Sequence, residues 1–372
     1  MEILIPAFYS IMLLYAAAIG SLIYGFVRLS AFKLSNTTPS TRFSILIPIR
    51  NEAENLPQLL HSLSALNYPA THFEVLFIDD DSSDTSVMLL QNTKMQFAFQ
   101  VLHNQRKSGS PKKDAINTGI PRAQNEWIIT TDADCTFSRE WLLSFDNYIR
   151  KHHPEMIAGP VTYDCGRSFS DHFQQLDFMS LQGATMGSFG LHQAFLCNGA
   201  NFAYTQKLFY ALNGFEGNDK IASGDDVFLL QKAIASFPET VHYLKCKAAV
   251  VHTMPLQNWK AVFHQRIRWA SKTASYNSRF GKLLAVVVLA GNLAFLGIFI
   301  AAVTGFSIVH LALLLVLKIG IDTLLLLKTQ HFITGSRPRF LIASSLFYPI
   351  FNVFVGCYSL FGSYQWKGRS FK

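Results

Sequence analysis

Long apolar runs lie near both ends of the chain, and a mixed apolar and polar pattern fills its middle. The stretch Ile3–Val27 carries no charged side chain, and three further apolar stretches follow near the other end: Leu283–Phe306, Ile308–Leu327 and Phe340–Phe361. Each is long enough to cross the hydrocarbon core of a bilayer, which takes about 20 helical residues. The pattern therefore predicts four transmembrane helices around a central soluble region.

The central region alternates short apolar runs with amphipathic ones. Phe43–Pro48 and Phe73–Ile78 are typical of buried strands, and Arg50–Asn55 is expected to open a helix that continues through Leu56 and Leu63. A third apolar run, Trp127–Ile129, follows later. This strand–helix alternation predicts an α/β fold with a mostly parallel sheet, whose ligands bind at the carboxyl ends of the strands.

These patterns divide the chain into four predicted regions. They are an N-terminal transmembrane anchor over residues 1–28, a Ser/Thr/Pro linker over 29–42, an α/β domain over 43–275 and three transmembrane or membrane-associated helices over 283–362. A cleaved signal peptide is the alternative for the first region, but its basic start is missing. Arg28 and Lys33 follow the anchor directly, which predicts a cytoplasmic α/β domain of an inner-membrane protein. In the third span, Lys318 and Asp322 are four residues apart and can form an ion pair.

Composition narrows the class of protein. Half of the residues are hydrophobic and only 15% are charged, which fits a membrane protein. The net charge of +8 suits an anionic partner such as lipid headgroups or nucleotide phosphates, whereas no motif for binding DNA or RNA accompanies it. The five cysteines form no CxxC pair, so the sequence predicts neither a zinc site nor a disulfide framework.

Two carboxylates follow the strand that ends near Ile129. Asp132 and Asp134 are one residue apart, so they are expected at the carboxyl edge of the sheet. Closely spaced carboxylates repel each other and favour a hard divalent cation, which in turn neutralises phosphate oxygens. An Asp-rich turn is the alternative interpretation.

Further polar clusters follow other strands. Asp79, Asp80 and Asp81 end the second strand, where one acid can cap a helix and another can bind a ribose hydroxyl or a base NH group. Lys112 and Lys113 stand before a helix, where phosphate contact and a solvated surface pair are both open.

The second half of the soluble region contains three more candidate segments. Phe195–Tyr204 is expected to be either a loop packed against a ligand or a bulged strand. Asp225 and Asp226 open an apolar helix, so one acid can cap it and leave the other for chemistry. The helix containing Trp259–Trp269 carries two arginines, which fit either diphosphate binding or contact with anionic lipid.

In order along the chain, these motifs resemble those of the family 2 glycosyltransferases of GT-A fold, and specifically the membrane-embedded branch that includes ceramide glucosyltransferase and the cellulose and hyaluronan synthases. The resemblance covers about Phe43–Trp269. Ile47–Glu52 resembles the first strand and nucleotide-binding turn, and Asp79–Asp84 resembles a DDGS-type element with Asp81 in place of glycine. Lys112–Gly119 is similar to the KxxAxNxG segment.

The resemblance implies a role for each matching position. Asp132 and Asp134 match the DXD motif, which holds Mg²⁺ or Mn²⁺ against the donor diphosphate, and Asp226 matches the general base beside Asp225, where glutamate is common. The QxxRW motif is complete. The residues implied to bind the donor are Pro48, Arg50, Glu52, Asp79, Asp80, Lys112, Asp132, Gln265, Arg268 and Trp269.

The function expected from this resemblance is a membrane-bound, inverting glycosyltransferase of the hexosyltransferase type. It would move a sugar from a nucleotide-diphosphate sugar, with UDP as the expected nucleotide, to a hydroxyl of a lipid or glycan. Three C-terminal spans are few for a polymer channel, which favours a lipid acceptor and a single addition. A processive polysaccharide synthase, a membrane phospho- or nucleotidyltransferase and a non-catalytic scaffold are the alternatives.

Overall fold

The computed structural model describes residues 4–218, 221, 223–303, 307–362, 364–366 and 369–371. The chain forms two compact units. The α/β unit comprises Ser30–Asp164 and Leu196–Met254, and the helical unit comprises Met1–Leu29, Cys165–Phe195 and Pro255–Lys372.

The strands and helices follow the chain in two series. The strands are β1 (Phe43–Ile49), β2 (Phe73–Asp79), β3 (Ala98–His103), β4 (Trp127–Thr130), β5 (Thr136–Phe137), β6 (Met156–Ala158), β7 (Val161–Tyr163), β8 (Phe202–Thr205), β9 (Val241–Tyr243), β10 (Val251–Thr253), β11 (Tyr364–Trp366) and β12 (Arg369–Phe371). The helices are α1 (Leu4–Arg28), α2 (Leu56–Ser64), α3 (Ser86–Gln91), α4 (Pro111–Gly119), α5 (Trp141–His152), α6 (Phe169–Gly190), α7 (Gln206–Ala211), α8 (Asp225–Ser236), α9 (Trp259–Ser271), α10 (Arg279–Val303), α11 (Ile308–Ile333) and α12 (Leu341–Phe361).

A seven-stranded sheet organises the α/β unit, in the order β3-β2-β1-β4-β8-β6-β9. Every neighbouring pair is parallel except the two that involve β8, which runs antiparallel to both β4 and β6. The predicted mostly parallel α/β fold is therefore confirmed. All seven residues of β2 are buried, as expected for a strand covered on both faces.

A second, smaller sheet has the order β5-β10-β7. β10 pairs parallel with β7 and antiparallel with β5. β5 begins directly after the Asp132–Cys135 turn, so β10 lies alongside the chain that leaves this turn. The register places His252 opposite Thr136.

The start of α2 differs from the prediction. The helix begins at Leu56 with Asn55 as its N-terminal cap, whereas a helix from Arg50 was expected. Residues 50–55 form a turn in which Asn51 adopts a φ of +54°, in the left-handed region. That backbone conformation is incompatible with a right-handed helix, so the helix starts only after the turn.

The segment predicted as a linker lies along α5 in the α/β unit. It has no regular secondary structure between residues 30 and 42. The fully buried carboxylate of Asp146 accepts hydrogen bonds from the Thr41 backbone N–H at 2.8 Å and from the Thr41 hydroxyl at 2.7 Å. Asn147 accepts one from the backbone N–H of Ser35 at 3.0 Å. Beyond Leu29, the chain is thus attached to the α/β unit along this stretch.

Among the residues that the structure describes, the helical unit contains four helices that are long and apolar enough to cross a membrane: Ile5–Arg28, Arg279–Ala301, Ile308–Ile333 and Leu341–Phe361. They match the four predicted spans. The Lys318 ammonium donates to the Asp322 carboxylate at 2.8 Å, so the predicted ion pair is formed. Asp322 also accepts a hydrogen bond from the Tyr15 hydroxyl at 2.6 Å, which links α11 to α1. The two charged side chains of this apolar helix thus neutralise each other.

The helical unit also includes α6 from the middle of the chain. Its backbone touches that of α1 through glycines: a Cβ at Gly187 would lie 2.4 Å from the Leu22 carbonyl oxygen. A Cβ at Gly25 would lie 2.1 Å from the Gly187 oxygen. The predicted domain range 43–275 includes α6 and α9, which the compact units group with the long apolar helices.

Candidate functional site

The carboxyl ends of β1, β2 and β4 are adjacent because these three strands are parallel neighbours. The register pairs Ile49 with Asp79 and Leu46 with Thr130. The turns that follow these strands carry Arg50, Asp80 and Asp132 respectively. Three of the predicted site segments therefore emerge along one edge of the sheet, where open α/β sheets bind ligands.

Asp80 is the centre of a buried polar cluster. Its carboxylate accepts a hydrogen bond from the Asn104 side-chain amide at 2.7 Å and pairs with Arg106 at 3.2 Å and Arg50 at 3.5 Å. The Arg50 guanidinium also donates to the Asp80 backbone carbonyl. Two arginines and one amide fix this carboxylate at the end of β2, and its exposed fraction is only 5%.

The neighbouring aspartates shape the turn. The Asp79 carboxylate accepts a hydrogen bond from the Ser82 backbone N–H at 3.2 Å. Asp81 stands where glycine was expected from the resemblance, and it adopts a φ of +58°. This left-handed conformation favours glycine, although aspartate tolerates it better than most residues. The cap of α3 is Thr85, so none of the three acids caps that helix.

Hydrogen bonds join the turn after β1 to the turn after β2. The Asn51 side-chain oxygen accepts from the Ser83 backbone N–H at 2.8 Å, and the Glu52 backbone N–H donates to the Ser86 hydroxyl at 2.8 Å. The Glu52 carboxylate itself accepts from the Asn55 amide at 2.7 Å. Pro48 lies within β1, beside Ile78 of β2. The two predicted nucleotide-side segments thus form one connected structure.

Lys112 connects two carboxylate groups that are far apart in sequence. Its ammonium donates to Asp132 at 2.5 Å and lies 3.7 Å from a carboxylate oxygen of Asp225. Burial by itself lowers the pKa of Lys112, but the negative charges of Asp132 and Asp225 outweigh it and raise the pKa above the ordinary lysine value. Lys112 is therefore a permanent cation between the two acidic motifs.

The solvated surface pair considered for the two lysines does not occur. Lys112 has a side-chain exposure of 17%, and Lys113 is buried with 1% exposed. Both belong to the first turn of α4 rather than to the turn before it.

Asp134 is held from a strand that the sequence analysis did not single out. Its carboxylate accepts a hydrogen bond from the Thr253 hydroxyl at 2.9 Å. The preceding residue, His252, pairs with Asp164 at 2.6 Å. The thiol of Cys135 is buried beside these acids, and burial and the charges of Asp134 and Asp132 raise its pKa. β10 has no motif of its own in the sequence, and only its pairing with β5 brings it here.

Asp225 and Asp226 open α8, but neither caps it. The cap is Gly224, with a φ of +86°, so the prediction that one acid serves as the cap is wrong. Asp226 accepts hydrogen bonds from the Gly199 backbone N–H at 2.8 Å and from the Val227 backbone N–H at 2.7 Å. These two bonds fix the orientation of the Asp226 carboxylate. Glycine occupies the cap because it adopts positive φ without steric cost.

The stretch Phe195–Tyr204 is a loop that ends in β8, which begins at Phe202. The Thr130 hydroxyl donates to the Gly199 carbonyl at 2.9 Å, so this loop is bound both to the end of β4 and to Asp226. The Asn201 side-chain amide donates to two backbone carbonyls and accepts from the Trp141 indole N–H. The small and amide residues of this loop are thus explained by its backbone contacts.

The QxxRW residues lie on α9, in the helical unit. The buried Arg266, which is not part of the motif, forms an ion pair with Asp177 of α6 and donates to the Gln265 side chain. Its guanidinium stands 4.3 Å from the centre of the Trp269 ring. Arg266 therefore serves internal packing of the helical unit rather than contact with lipid headgroups.

The carboxylates at the end of β4 suit a divalent cation that arrives with a substrate. Among the residues that the structure describes, no three His, Cys, Asp or Glu side chains come together as a ready-made ligand set. Mg²⁺ is commonly held by one or two carboxylates together with substrate phosphates. Asp132, whose side chain is 40% exposed, and Asp134 offer that kind of site.

Part of the chain is similar to a known protein family. A model described as "Glycosyl transferase family 2" matches residues 44–212. This range contains the Asp80 cluster, Lys112, Asp132 and the Gly199 loop, and it ends before Asp225.

Two curated relatives and one solved structure illustrate the similarity. The chain is 33% identical over 101 residues to a beta-monoglucosyldiacylglycerol synthase from Trichormus variabilis, which covers 27% of this chain and 22% of that protein. It is 28% identical over 154 residues to an undecaprenyl-phosphate 4-deoxy-4-formamido-L-arabinose transferase from Proteus mirabilis, covering 35% and 46%. The structure of a mannosyltransferase from Pyrobaculum calidifontis in complex with GDP-Man and Mn²⁺ aligns over 95% of this chain and 99% of that chain, at 16% identity and a TM-score of 0.60.

These comparisons bear on the family and the fold. The alignments span between about a fifth and about a half of the length of the first curated relatives. The likeness to the mannosyltransferase shows the same fold.

Proposed function

We propose that this chain is a family 2 glycosyltransferase. We propose that it transfers a sugar from a nucleotide diphosphate sugar, specifically a UDP-sugar, to the hydroxyl of a lipid acceptor, in one step with inversion at the anomeric carbon. The membrane location fits the four apolar helices. We place the α/β unit on the cytoplasmic side of the cell membrane, where nucleotide sugars are soluble substrates.

The observation that carries this proposal is the position of Lys112. One ammonium contacts Asp132, the acid proposed for the diphosphate side, and lies within 3.7 Å of Asp225, beside the proposed base. A transferase needs its leaving group and its acceptor hydroxyl on opposite sides of a single carbon atom, within a few ångströms. The contacts of Lys112 with Asp132 and Asp225 support the proposal, because they bring the two motifs close to each other.

The nucleoside is assigned to the Asp80 end of the site. Arg50, Arg106 and Asn104 orient the Asp80 carboxylate, which can accept hydrogen bonds from a base NH or a ribose hydroxyl. The same arginines favour the anionic diphosphate nearby. Arg50, Asp79 and the turn around Glu52 define the wall of this end.

The diphosphate is assigned to Asp132, Asp134 and Lys112. These carboxylates would hold Mg²⁺ or Mn²⁺, and a bound ion would neutralise the charge that develops on the departing diphosphate. The Lys112 ammonium is a further positive charge next to Asp132, and the protein itself supplies it. From the resemblance to the family, we further propose that Gln265, Arg268 and Trp269 of the QxxRW motif bind the donor, with Arg268 as the cation.

The proton of the acceptor hydroxyl is assigned to Asp226. This carboxylate is held by the Gly199 and Val227 backbone N–H groups, which leaves further lone pairs on both oxygens for the hydroxyl. As Asp226 removes the proton, the acceptor oxygen forms its bond to the anomeric carbon while the bond to the diphosphate oxygen breaks. Attack from the face opposite the leaving group inverts the configuration.

A lipid acceptor is supported by the helical unit and by the relatives. The names of the two curated relatives refer to undecaprenyl phosphate and to diacylglycerol, both lipids. The four apolar helices fit a protein of the membrane, which is where a lipid acceptor would be found. We therefore propose a single addition to a lipid rather than synthesis of a polymer.

The decisive experiment incubates membranes containing the full chain with individual labelled nucleotide sugars, UDP-linked and GDP-linked. The proposal expects label in the organic phase after solvent extraction, together with a free nucleoside diphosphate. Label in a high-mass polymer would favour the processive synthase. Release of pyrophosphate would favour a nucleotidyltransferase and contradict the proposal.

The base is tested with Asp226→Asn, which keeps the shape of the side chain but cannot accept the proton. Transfer is expected to fall by about 10²- to 10⁴-fold, the range that general base catalysis contributes. Metal-dependent nucleotide binding, measured by calorimetry, should stay close to the wild-type value. Glu155→Gln is the matched control, because the ion pair of Glu155 described by the structure is with the 83% exposed Lys207, at 3.8 Å. Near-normal transfer by Asp226→Asn would refute the assignment.

A further inference from the structure

Lys113 is a buried lysine for which the donor and base motifs give no role. Its ammonium donates to two backbone carbonyls, those of Asn218 at 2.6 Å and Ile221 at 2.8 Å. It also stands 5.1 Å from the centre of the Phe228 ring, within the range of a cation–π interaction. Burying an ammonium is costly unless it is hydrogen-bonded, and the two carbonyls supply those hydrogen bonds.

The two carbonyls belong to the acid-pair segment, which we define as the described residues between Leu212 and Gly224. This segment joins the end of α7 to Asp225 at the start of α8. The structure describes its residues 212–218, 221, 223 and 224. The conformation of this segment decides where Asp225 and Asp226 begin their helix, because they follow it directly.

An open cavity borders the beginning of this segment. A cavity of about 410 Å³ lies between α4 and the segment, and its lining includes Lys113, Asn117, Phe215 and Glu216. Gly214, Gly217 and Gly224 all have positive φ, so the backbone here uses conformations that only glycine adopts freely. Such a stretch needs specific hydrogen bonds to keep one conformation.

Two lysines supply hydrogen bonds to this backbone. Lys232 of α8 donates to the carbonyls of Leu212 at 3.2 Å and Gly214 at 2.8 Å, at the beginning of the segment. Lys113 of α4 donates to the carbonyls of Asn218 and Ile221, which are nearer the end of the segment. Lysine suits this task because one ammonium has three donors that can reach several carbonyls.

We propose that Lys113 is a positioning residue for sugar transfer: it holds the acid-pair segment against α4 and thereby sets the distance of Asp226 from the acceptor hydroxyl. The inference rests on the proposed function. Its neighbour Lys112 binds Asp132 and approaches Asp225 from the same helical turn. In one turn of α4, Lys112 therefore contacts the acid proposed for the diphosphate side, and Lys113 holds the segment that leads to the proposed base.

The test compares Lys113→Met with Lys113→Arg in the full membrane-embedded chain. Methionine keeps an unbranched apolar stem and removes the donors, so the rate of transfer at saturating substrate, kcat, should fall by about ten- to a hundredfold, as expected when a catalytic group is misplaced by about 1 Å. The Kd of the nucleoside diphosphate should stay within about twofold. Lys113→Arg restores donors and should recover part of the lost kcat.

Lys107→Met is the matched control, because Lys107 lines the same cavity from an exposed position. It should transfer at the wild-type rate. The inference is overturned if Lys113→Met keeps kcat within twofold of wild type, or if nucleotide binding is lost in parallel with transfer in both the Met and the Arg variants. If the wild-type chain itself transfers no sugar, the proposed function fails, which is a separate result.

Discussion

At the scale of single residues, the space between Lys112 and the acid pair depends on a glycine. A Cβ added at Gly199 would lie 3.2 Å from a carboxylate oxygen of Asp225, 3.3 Å from the Lys112 nitrogen and 3.4 Å from the Asp226 Cβ. The first two distances are shorter than ordinary van der Waals contact, so the neighbouring charges would have to move. The Gly199 backbone also holds Asp226 and Thr130, which fixes the glycine in place.

We predict that Gly199→Ala lowers transfer while the chain remains folded. The added methyl group displaces Lys112 or Asp225 by a few tenths of an ångström, and we expect kcat/KM to fall by about tenfold, equivalent to about 1.4 kcal/mol of transition-state stabilisation. The measurement is steady-state transfer of labelled sugar. Gly320→Ala serves as a control, because a Cβ there meets nothing within 4 Å. Equal rates for the two variants would show that this space is not used.

The charge of Lys112 leads to a second prediction, on pH. Asp132 and Asp225 raise its pKa in the folded state above the ordinary value of about 10.4. A lysine with a raised folded-state pKa stabilises the fold fully below its unfolded pKa, and this contribution is lost only as the pH rises through the folded pKa. Between pH 6 and 9 the contribution should therefore be constant.

Lys112→Met should lower stability by about 1–3 kcal/mol, because it leaves partly buried carboxylates without their cation. The thermal midpoint in detergent should fall by the same amount at every pH from 6 to 9. Lys207→Met, at an 83% exposed position, should change it little. A deficit that disappears on going from pH 6 to pH 9 would mean that the Lys112 pKa is lowered rather than raised.

At the scale of elements, α1 and α6 cross with their backbones in contact. The glycines Gly25, Gly187 and Gly190 let the two backbones touch, since a Cβ at Gly190 would lie 1.9 Å from the Gly25 oxygen. Small residues at such crossings are typical of helices packed in membranes. Gly183, Gly187 and Gly190 follow one another at about one helical turn, but this spacing does not indicate which helix they face.

We predict that Gly187→Ala destabilises the helical unit. Its Cβ would meet backbone atoms of Leu22 at 2.4 and 2.9 Å, and backbone yields less readily than a side chain. The expected loss is about 1–3 kcal/mol, seen as a lower thermal midpoint in detergent. Gly20→Ala, on α1 with nothing within 4 Å, should be neutral or slightly stabilising. Equal midpoints for both variants would contradict the close crossing.

Element boundaries show where sequence reasoning failed locally. The helix expected from Arg50 starts at Leu56, and the cap of α8 is Gly224 rather than an aspartate. In both cases positive φ angles, at Asn51 and Gly224, decide the boundary. Backbone conformation of single residues depends on tertiary contacts, such as the bond from Ser83 to Asn51, which periodicity does not encode.

At the scale of the whole molecule, the two units are interleaved along the chain. The helical unit takes Cys165–Phe195 from between segments of the α/β unit, and the α/β unit includes the stretch predicted as a linker. Hydrophobic periodicity indicates which face of an element is buried, but not which other element covers it. A prediction from the sequence therefore groups such segments with the elements next to them in the chain. The predicted boundaries at residues 43 and 275 therefore remain a prediction of the extent of the functional domain. They differ from the limits of the compact units.

By itself, the sequence determined the four apolar helices, the mostly parallel sheet and the acidic and basic motifs at its strand ends. These follow from short-range periodicity and from residue chemistry, which are local properties. Only the tertiary structure decided which charges meet. In the folded chain, Lys112 lies between Asp132 and Asp225, and Thr253 donates a hydrogen bond to Asp134. Lys113 donates to a backbone carbonyl of the acid-pair segment. Such contacts join residues about 20 to 120 positions apart, and their distances depend on how the elements pack.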